Sequence, residues 1–271
     1  MTIISTLLTR FCTTHASDSF ITVEENGKYS IKESQRTKIM PVKHWRGAFT
    51  YWGLAESTTY KWSTYEWLLA EANHSNQYSS AEEFAATVAD KLNDRFAKMR
   101  FKKPLDKGIG IHFTVYEYIN DYWIPELFLI SNWADPMYAS LRPEGIGYSR
   151  ETYHATFQVP PDPKHREIKY RLDVYNFLQQ GGILGFNNGD PEMYVPTSNA
   201  ILNSLIKLNR RKSLITFDSY KPNLSFARRP IEIVSEIQRD FCIEGKRLVG
   251  GKPHDYAIRP TGETYSTTGD N

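Results

Sequence analysis

The chain has 271 residues, 40% apolar and 24% charged, enough to bury a sizeable core and too apolar for a largely disordered chain. Its 33 basic and 31 acidic side chains leave a formal charge of +2, so no strong field directs it to nucleic acid or anionic lipid. No apolar run approaches the ~20 residues needed to cross a bilayer, and the N-terminus lacks the basic start of a signal peptide, so the expected address is the cytosol.

Residues 2–8 and 10–17 read as two strands, followed by 20–24 and 28–33 around Asn26-Gly27, a dipeptide that favours a type I′ hairpin. Residues 37–43 and 46–54 supply two more strands, and this run of strands with short links predicts an antiparallel sheet. Ser63 with Glu66, and Ser80 with Glu83, have the spacing of capping boxes. Behind the second, Phe84, Val88, Leu92 and Phe96 recur every four residues and predict an amphipathic helix of about five turns.

Ile109–Ile119 and Trp123–Trp133 predict a hairpin turning at Asn120-Asp121, and residues 134–152 a long loop. His154–Val159 predicts a further strand. Asp162-Pro163 opens a helix through Leu172, Tyr175 and Leu178 that stops near Gly181-Gly182. Ile183–Phe186 reads as a strand, 187–191 as a turn and 199–210 as a helix. Residues 213–227 have no clear pattern. Pro230 is expected to open a helix that ends at Gly245, with a last strand at Tyr256–Ile258 and a loose polar stretch from Thr261. The order predicts one layered α+β domain over residues 1–262, with 263–271 as a tail.

Neither Cys12 nor Cys242 lies in a CxxC pair, and His15, His44, His74, His112, His154, His165 and His254 show no HExxH spacing, so no metal is expected. No glycine-rich loop has a nucleotide-binding form, and no cofactor is expected.

The chemistry-bearing residues lie near the chain's start. If Met1 is removed, Thr2 carries a free α-amine beside its hydroxyl, and that amine can serve as the hydroxyl's base. A nearby Lys ammonium lowers the amine's pKa and stabilises a developing alkoxide, and it needs a carboxylate if it is to stay charged while buried. Lys38 and Asp18 can fill these roles provided their strands neighbour the first. Gly53, at the end of an apolar strand, offers a backbone N–H to a tetrahedral oxyanion.

Thr2-Ile3-Ile4, His15-Ala16-Ser17-Asp18-Ser19, Thr37-Lys38-Ile39 and the strand into Gly53-Leu54-Ala55 together resemble the proteasome β-subunits and their bacterial relatives, among the N-terminal-nucleophile hydrolases. The resemblance implies a four-layer αββα sandwich, Thr2 as nucleophile, Asp18 as partner of Lys38, Lys38 as the charge that tunes Thr2, and Gly53 N–H as oxyanion donor. Leu248-Val249-Gly250-Gly251 and His254–Ile258 are similar to the family's last strand. Residues 100–180 match nothing in the family, and its supporting Gly-Ser-Gly-Ser-like segment has no counterpart.

By resemblance the expected function is a threonine-type amide hydrolase, a peptidase first, with self-association into a ring. The alternatives are an inactive scaffold or assembly protein of the same fold, in which Asp18 and Lys38 persist as a buried ion pair, a small-molecule amidase, and an unrelated α+β binding protein.

Overall fold

The computed structural model describes residues 3–99, 108–132, 153–154, 168–188, 194–212, 216–242 and 247–267. Thr2, the 134–152 loop, Trp133, the strand beyond His154, the Asp162-Pro163 helix start and the helix end at Gly245 lie outside them. The described chain is α+β, with two mostly antiparallel sheets and five helices.

The first sheet is built from β1 (Ile4–Leu8), β2 (Thr13–Ser17), β11 (Leu184–Asn188), β12 (His254–Ile258) and β13 (Thr264–Tyr265), in the order β11-β1-β2-β12-β13. Every residue of β1 and β2 is buried, because each strand is covered on both faces. The two faces divide by the strand period of two. Ile3 and Ala16 pack with Ala227, Ile231 and Val234 of α5 (Tyr220–Phe241). Thr6 and His15 point the other way and reach side chains of the second sheet.

That second sheet runs β10 (Tyr153–His154), β9 (Tyr122–Ser131), β8 (Ile109–Ile119), β6 (Gly47–Ser57), β3 (Phe20–Glu25) and β4 (Lys28–Glu33). Two short strands, β5 (Ile39–Val42) and β7 (Trp62–Ser63), also pair with β6. β3 and β6 are parallel, and the other pairings are antiparallel. Helices α1 (Thr64–Asn73) and α2 (Ala81–Ala97) pack on this sheet. The α2 stripe is fully buried at Phe84, Val88 and Leu92, and Phe84 meets Phe49 and Phe113 at ring distances of 5.6 and 5.4 Å. Ser63 and Ser80 each accept the N–H of the residue three further on, Glu66 and Glu83. Asn26-Gly27 and Asn120-Asp121 have the positive φ of type I′ turns.

Helix α3 (Ile168–Gln179) places Val174 and Leu178 against Leu127 of β9 and Leu8 of β1, and α4 (Tyr194–Lys212) lies beside α5. Three expectations need correction. Helix α5 starts ten residues before Pro230, which lies inside it. Its first turns are held by burial of Leu224, Phe226 and Ala227, and by Asn223, which donates to Phe217 O and Ser219 O and accepts from Thr9 Oγ1. This packing outweighs the missing N–H of Pro230.

The polar stretch after Thr261 is also not loose through Thr267. β13 pairs with β12, Asp255 accepts from Thr267 N–H at 2.7 Å, and Tyr265 stacks on Tyr220 at 5.1 Å. None of the described helices is long and apolar enough to cross a membrane.

Gly53 lies inside β6, which continues to Ser57, rather than at a strand end. Its φ is +94°, and a Cβ there would sit 2.1 Å from Gly108 O. Gly53→Ala is therefore expected to cost about 2–4 kcal/mol, combining a left-handed backbone with a backbone clash. Urea unfolding would measure it, and a cost under ~1 kcal/mol would contradict this packing.

Candidate functional site

The site is assembled from strands that are distant in sequence. Asp18 follows β2 directly, and Lys38 immediately precedes β5, which lies against both β2 and β12. Lys38 Nζ donates to Asp18 Oδ1 at 2.5 Å, and both side chains are 0% exposed. The same carboxylate oxygen accepts Ile3 N–H at 3.1 Å. The other, Oδ2, accepts Gly250 N–H at 3.4 Å. Asp18 N–H donates back to Ile3 O, and Ser19 N–H to Gly250 O.

One carboxylate thus ties together the start of the chain, the strand entry at Lys38 and the loop before β12. Burial pushes the Asp18 carboxyl above the usual carboxylate range, opposed by Lys38 and the two backbone N–H groups. Burial likewise pushes the Lys38 ammonium below its ordinary value, opposed by Asp18.

Other groups surround the pair. Ile39 pairs with Thr50, so Lys38 stands level with Tyr51, two residues before Gly53 on β6. Two residues along a strand span roughly 6–7 Å. The Tyr51 hydroxyl is buried and held far above its ordinary pKa, first by burial and then by Glu56. Tyr194 OH donates to Ile4 O at 3.1 Å and fixes the beginning of β1 against α4. His254 pairs in register with Ser17, and burial followed by the charge of Lys38 lowers its pKa. The hydroxyls of Ser17 and Ser19, on either side of Asp18, are buried and find no hydrogen-bond partner among the described residues.

Of the four residues singled out from the sequence, Asp18 and Lys38 meet directly, Gly53 lies on the neighbouring strand, and Thr2 is outside the described residues. Ile3, joined to Thr2 by a peptide bond, is the described residue nearest to it in the chain. Sequence reasoning marks the segment Leu248-Val249-Gly250-Gly251 but misses what Gly250, Tyr194 and His254 contribute. It misses Gln238 too. That residue falls on the apolar stripe Ala227, Ile231, Val234, and a polar residue at such a position is the signal that could have found it.

A second polar cluster lies between the sheets. His15 Nδ1 meets Thr50 Oγ1 at 2.6 Å and Thr6 Oγ1 at 3.3 Å, while its Nε2 meets Thr114 Oγ1 at 2.7 Å. His112 Nδ1 meets Thr6 Oγ1 at 2.8 Å, and its Nε2 meets Asn188 Oδ1 at 2.6 Å. Among the described residues, these hydrogen-bond partners include no carboxylate. Burial holds His15 at about 3, helped by His112, and holds His112 at about 4.

Comparison with known proteins gives a fold and no family. No family model matches the chain, and no curated protein matches it. Among solved structures it is similar to Anbu (ancestral beta-subunit) from Yersinia bercovieri, at 11% identity over 99% of this chain and 88% of that one, with a TM-score of 0.53. A Gly-1 mutant of Anbu from Hyphomicrobium sp. strain MC1 aligns at 13% identity over 98% of this chain and 85% of that one, with a TM-score of 0.50. Thiobacillus denitrificans BPH aligns at 9% identity over 95% and 97%, with a TM-score of 0.45.

The resemblance to the proteasome β-subunit family is therefore corrected. It rested on a few short segments, mostly in the first fifty-five residues. At 11–13% identity the residues that fill the rest of the fold differ, and what the chain shares with the Anbu structures is the fold alone.

Proposed function

We propose that the chain is a threonine-type amide hydrolase in which Thr2, once Met1 is removed, is the nucleophile. One observation carries the reading. The Ile3 N–H is bound to the same Asp18 oxygen that holds Lys38 Nζ. The atom that joins Ile3 to Thr2 is thus anchored on the ion pair the chemistry requires.

In this reading the Thr2 hydroxyl attacks an amide carbonyl and gives its proton to the α-amine, directly or through a water. The tetrahedral oxyanion accepts the Gly53 N–H. The leaving amine takes the proton and departs, leaving an ester on Thr2 Oγ that water hydrolyses. Lys38 lowers the pKa of the α-amine, about 7.7–8.0 when unperturbed, and Asp18 balances its charge. The substrate is a peptide or another amide, and self-association into a ring belongs to the same proposal.

A four-layer αββα arrangement is part of the reading as well. Its support is the packing of α1 and α2 on one sheet and of α4 and α5 on the other, with β1 and β2 contacting β6 between them.

The complete burial of Lys38 and Asp18 favours a second reading, an inactive scaffold in which the pair is structural. A covalent probe separates the two. With Met1 shown to be absent by intact mass, a β-lactone or epoxyketone is expected to modify Thr2 in the wild type. Thr2→Ala abolishes the adduct, and Lys38→Met slows it by at least ~10²-fold. Failure to label a protein whose Met1 is gone would leave the scaffold.

A further inference from the structure

We infer that Gln238, on the buried face of α5, is a positioning residue for the Asp18–Lys38 pair, acting through the loop that carries Gly250. Gln238 is 2% exposed, and its Oε1 accepts two consecutive backbone N–H groups, Leu248 at 2.8 Å and Val249 at 2.9 Å. The next residue, Gly250, closes on the Asp18 segment from two sides. Its N–H donates to Asp18 Oδ2, and its carbonyl accepts Ser19 N–H at 3.2 Å.

The fit leaves little slack. A Cβ at Gly250 would lie 2.8 Å from the Phe20 ring. Gly251 turns away at φ +72°, and a Cβ there would lie 1.9 Å from Ser19 Oγ. The loop therefore has one seat, and Gln238 is the side chain that draws it down from the helix.

The physical consequence concerns charge. Asp18 Oδ1 has two partners, Ile3 N–H and Lys38, whereas Oδ2 accepts from Gly250 N–H. If the loop lifts, a fully buried carboxylate oxygen loses that donor, and the carboxyl is driven toward its protonated form. Lys38 then loses its counter-charge and releases its proton more readily. Gln238 touches neither reacting atoms nor Lys38 in the proposed mechanism, and it acts only by holding Gly250. Among the described residues, Asp18 and His254 are electrostatically coupled to Lys38 and the buried Tyr51 and Tyr194 to Asp18, and Gln238 carries no charge of its own.

The inference rests on the hydrolase reading for its purpose, but its test does not. The Lys38 titration midpoint is read from the 13Cε resonance of lysine-labelled full chain, assigned with Lys38→Met, alongside a thermal melt. Gln238→Leu keeps the volume and removes the acceptor, and it is expected to lower the Lys38 midpoint by at least ~1 pH unit. Gln238→Glu keeps an acceptor oxygen and is expected to hold the midpoint at or above the wild-type value.

If Gln238→Leu does not fold, Gln238→Asn, whose amide is drawn back by one methylene, is read in its place and should show the same fall. A folded Leu or Asn variant with a lower melting temperature and an unmoved Lys38 midpoint assigns Gln238 a purely structural role and overturns the inference. An unlabelled Thr2 together with the expected shift in Lys38 would count against the hydrolase reading and leave this one standing.

Discussion

Lys38→Met alone is expected to lower the unfolding free energy by about 3–5 kcal/mol, and adding Asp18→Asn to restore part of it. The reason is the asymmetry of a buried ion pair. Each partner has already lost its hydration, so removing one leaves the other charged or forced to neutralise where water cannot reach. Lys38 and Asp18 are both fully buried at 2.5 Å, the geometry in which this penalty is largest.

The amide introduced by Asp18→Asn retains an oxygen for the Ile3 N–H but turns its NH2 toward the Gly250 N–H, and the thioether chain introduced by Lys38→Met fills much of the lysine volume. The double variant therefore strands no charge. Urea unfolding of the two single variants and the double at pH 7 completes the cycle. A single-variant cost below ~1 kcal/mol would mean that the pair carries no net charge separation in the folded protein.

The second large effect is acid sensitivity originating between the sheets. His15 and His112 sit at about 3 and about 4, against 6.5 in an unfolded chain. Below pH 6.5 the unfolded chain binds protons that the folded protein refuses. The stability these rings support is complete above pH 6.5 and is lost as the pH falls toward 4 and 3. For one such ring, the drop between pH 7 and pH 5 is about 2 kcal/mol.

Glu126 works in the opposite sense. Burial first, and then Glu117, lift it to about 8 despite its ion pair with Arg171. Its contribution is complete below pH 4.5 and is lost as the pH rises through 8. The histidine effect is therefore read as a difference. Wild type should lose about 2 kcal/mol more than His112→Gln over the same interval. Parallel profiles for the two proteins would show that His112 does not titrate on unfolding.

Local chemistry made parts of this architecture legible in the sequence. The α2 stripe, both serine caps and the two type I′ turns depend on residues within a few positions of one another, and they appear where the sequence predicts. The start of α5 was not legible. Pro230 is a strong local signal, and what overrides it is burial of Leu224 and Phe226 and the bond from Thr9 to Asn223, 214 residues away in the chain. The strand around Tyr265 was hidden for the same reason, since its polar residues are gripped by Asp255 and Tyr220.

In the candidate site, a buried lysine's need for a counter-charge is a general rule, and it points to a carboxylate such as Asp18. Which backbone groups complete that carboxylate depends on strand order, which no short segment encodes. The roles of Asp18, Lys38 and Gly53 toward Thr2 belong to the proposal.

The order of strands in the first sheet has a temporal consequence. β1 and β2 are made first, yet their outer neighbours, β11 and β12, are made late, so neither edge can be satisfied while most of the chain is still missing. Closing loops of that length makes assembly slow. Gly250 reaches Asp18 across 232 residues, so the carboxylate lacks one of its backbone donors until the far end has docked. Completion of this ion pair's surroundings is accordingly a late event in folding, and a nascent chain stalled before β12 would leave the carboxylate short of that donor.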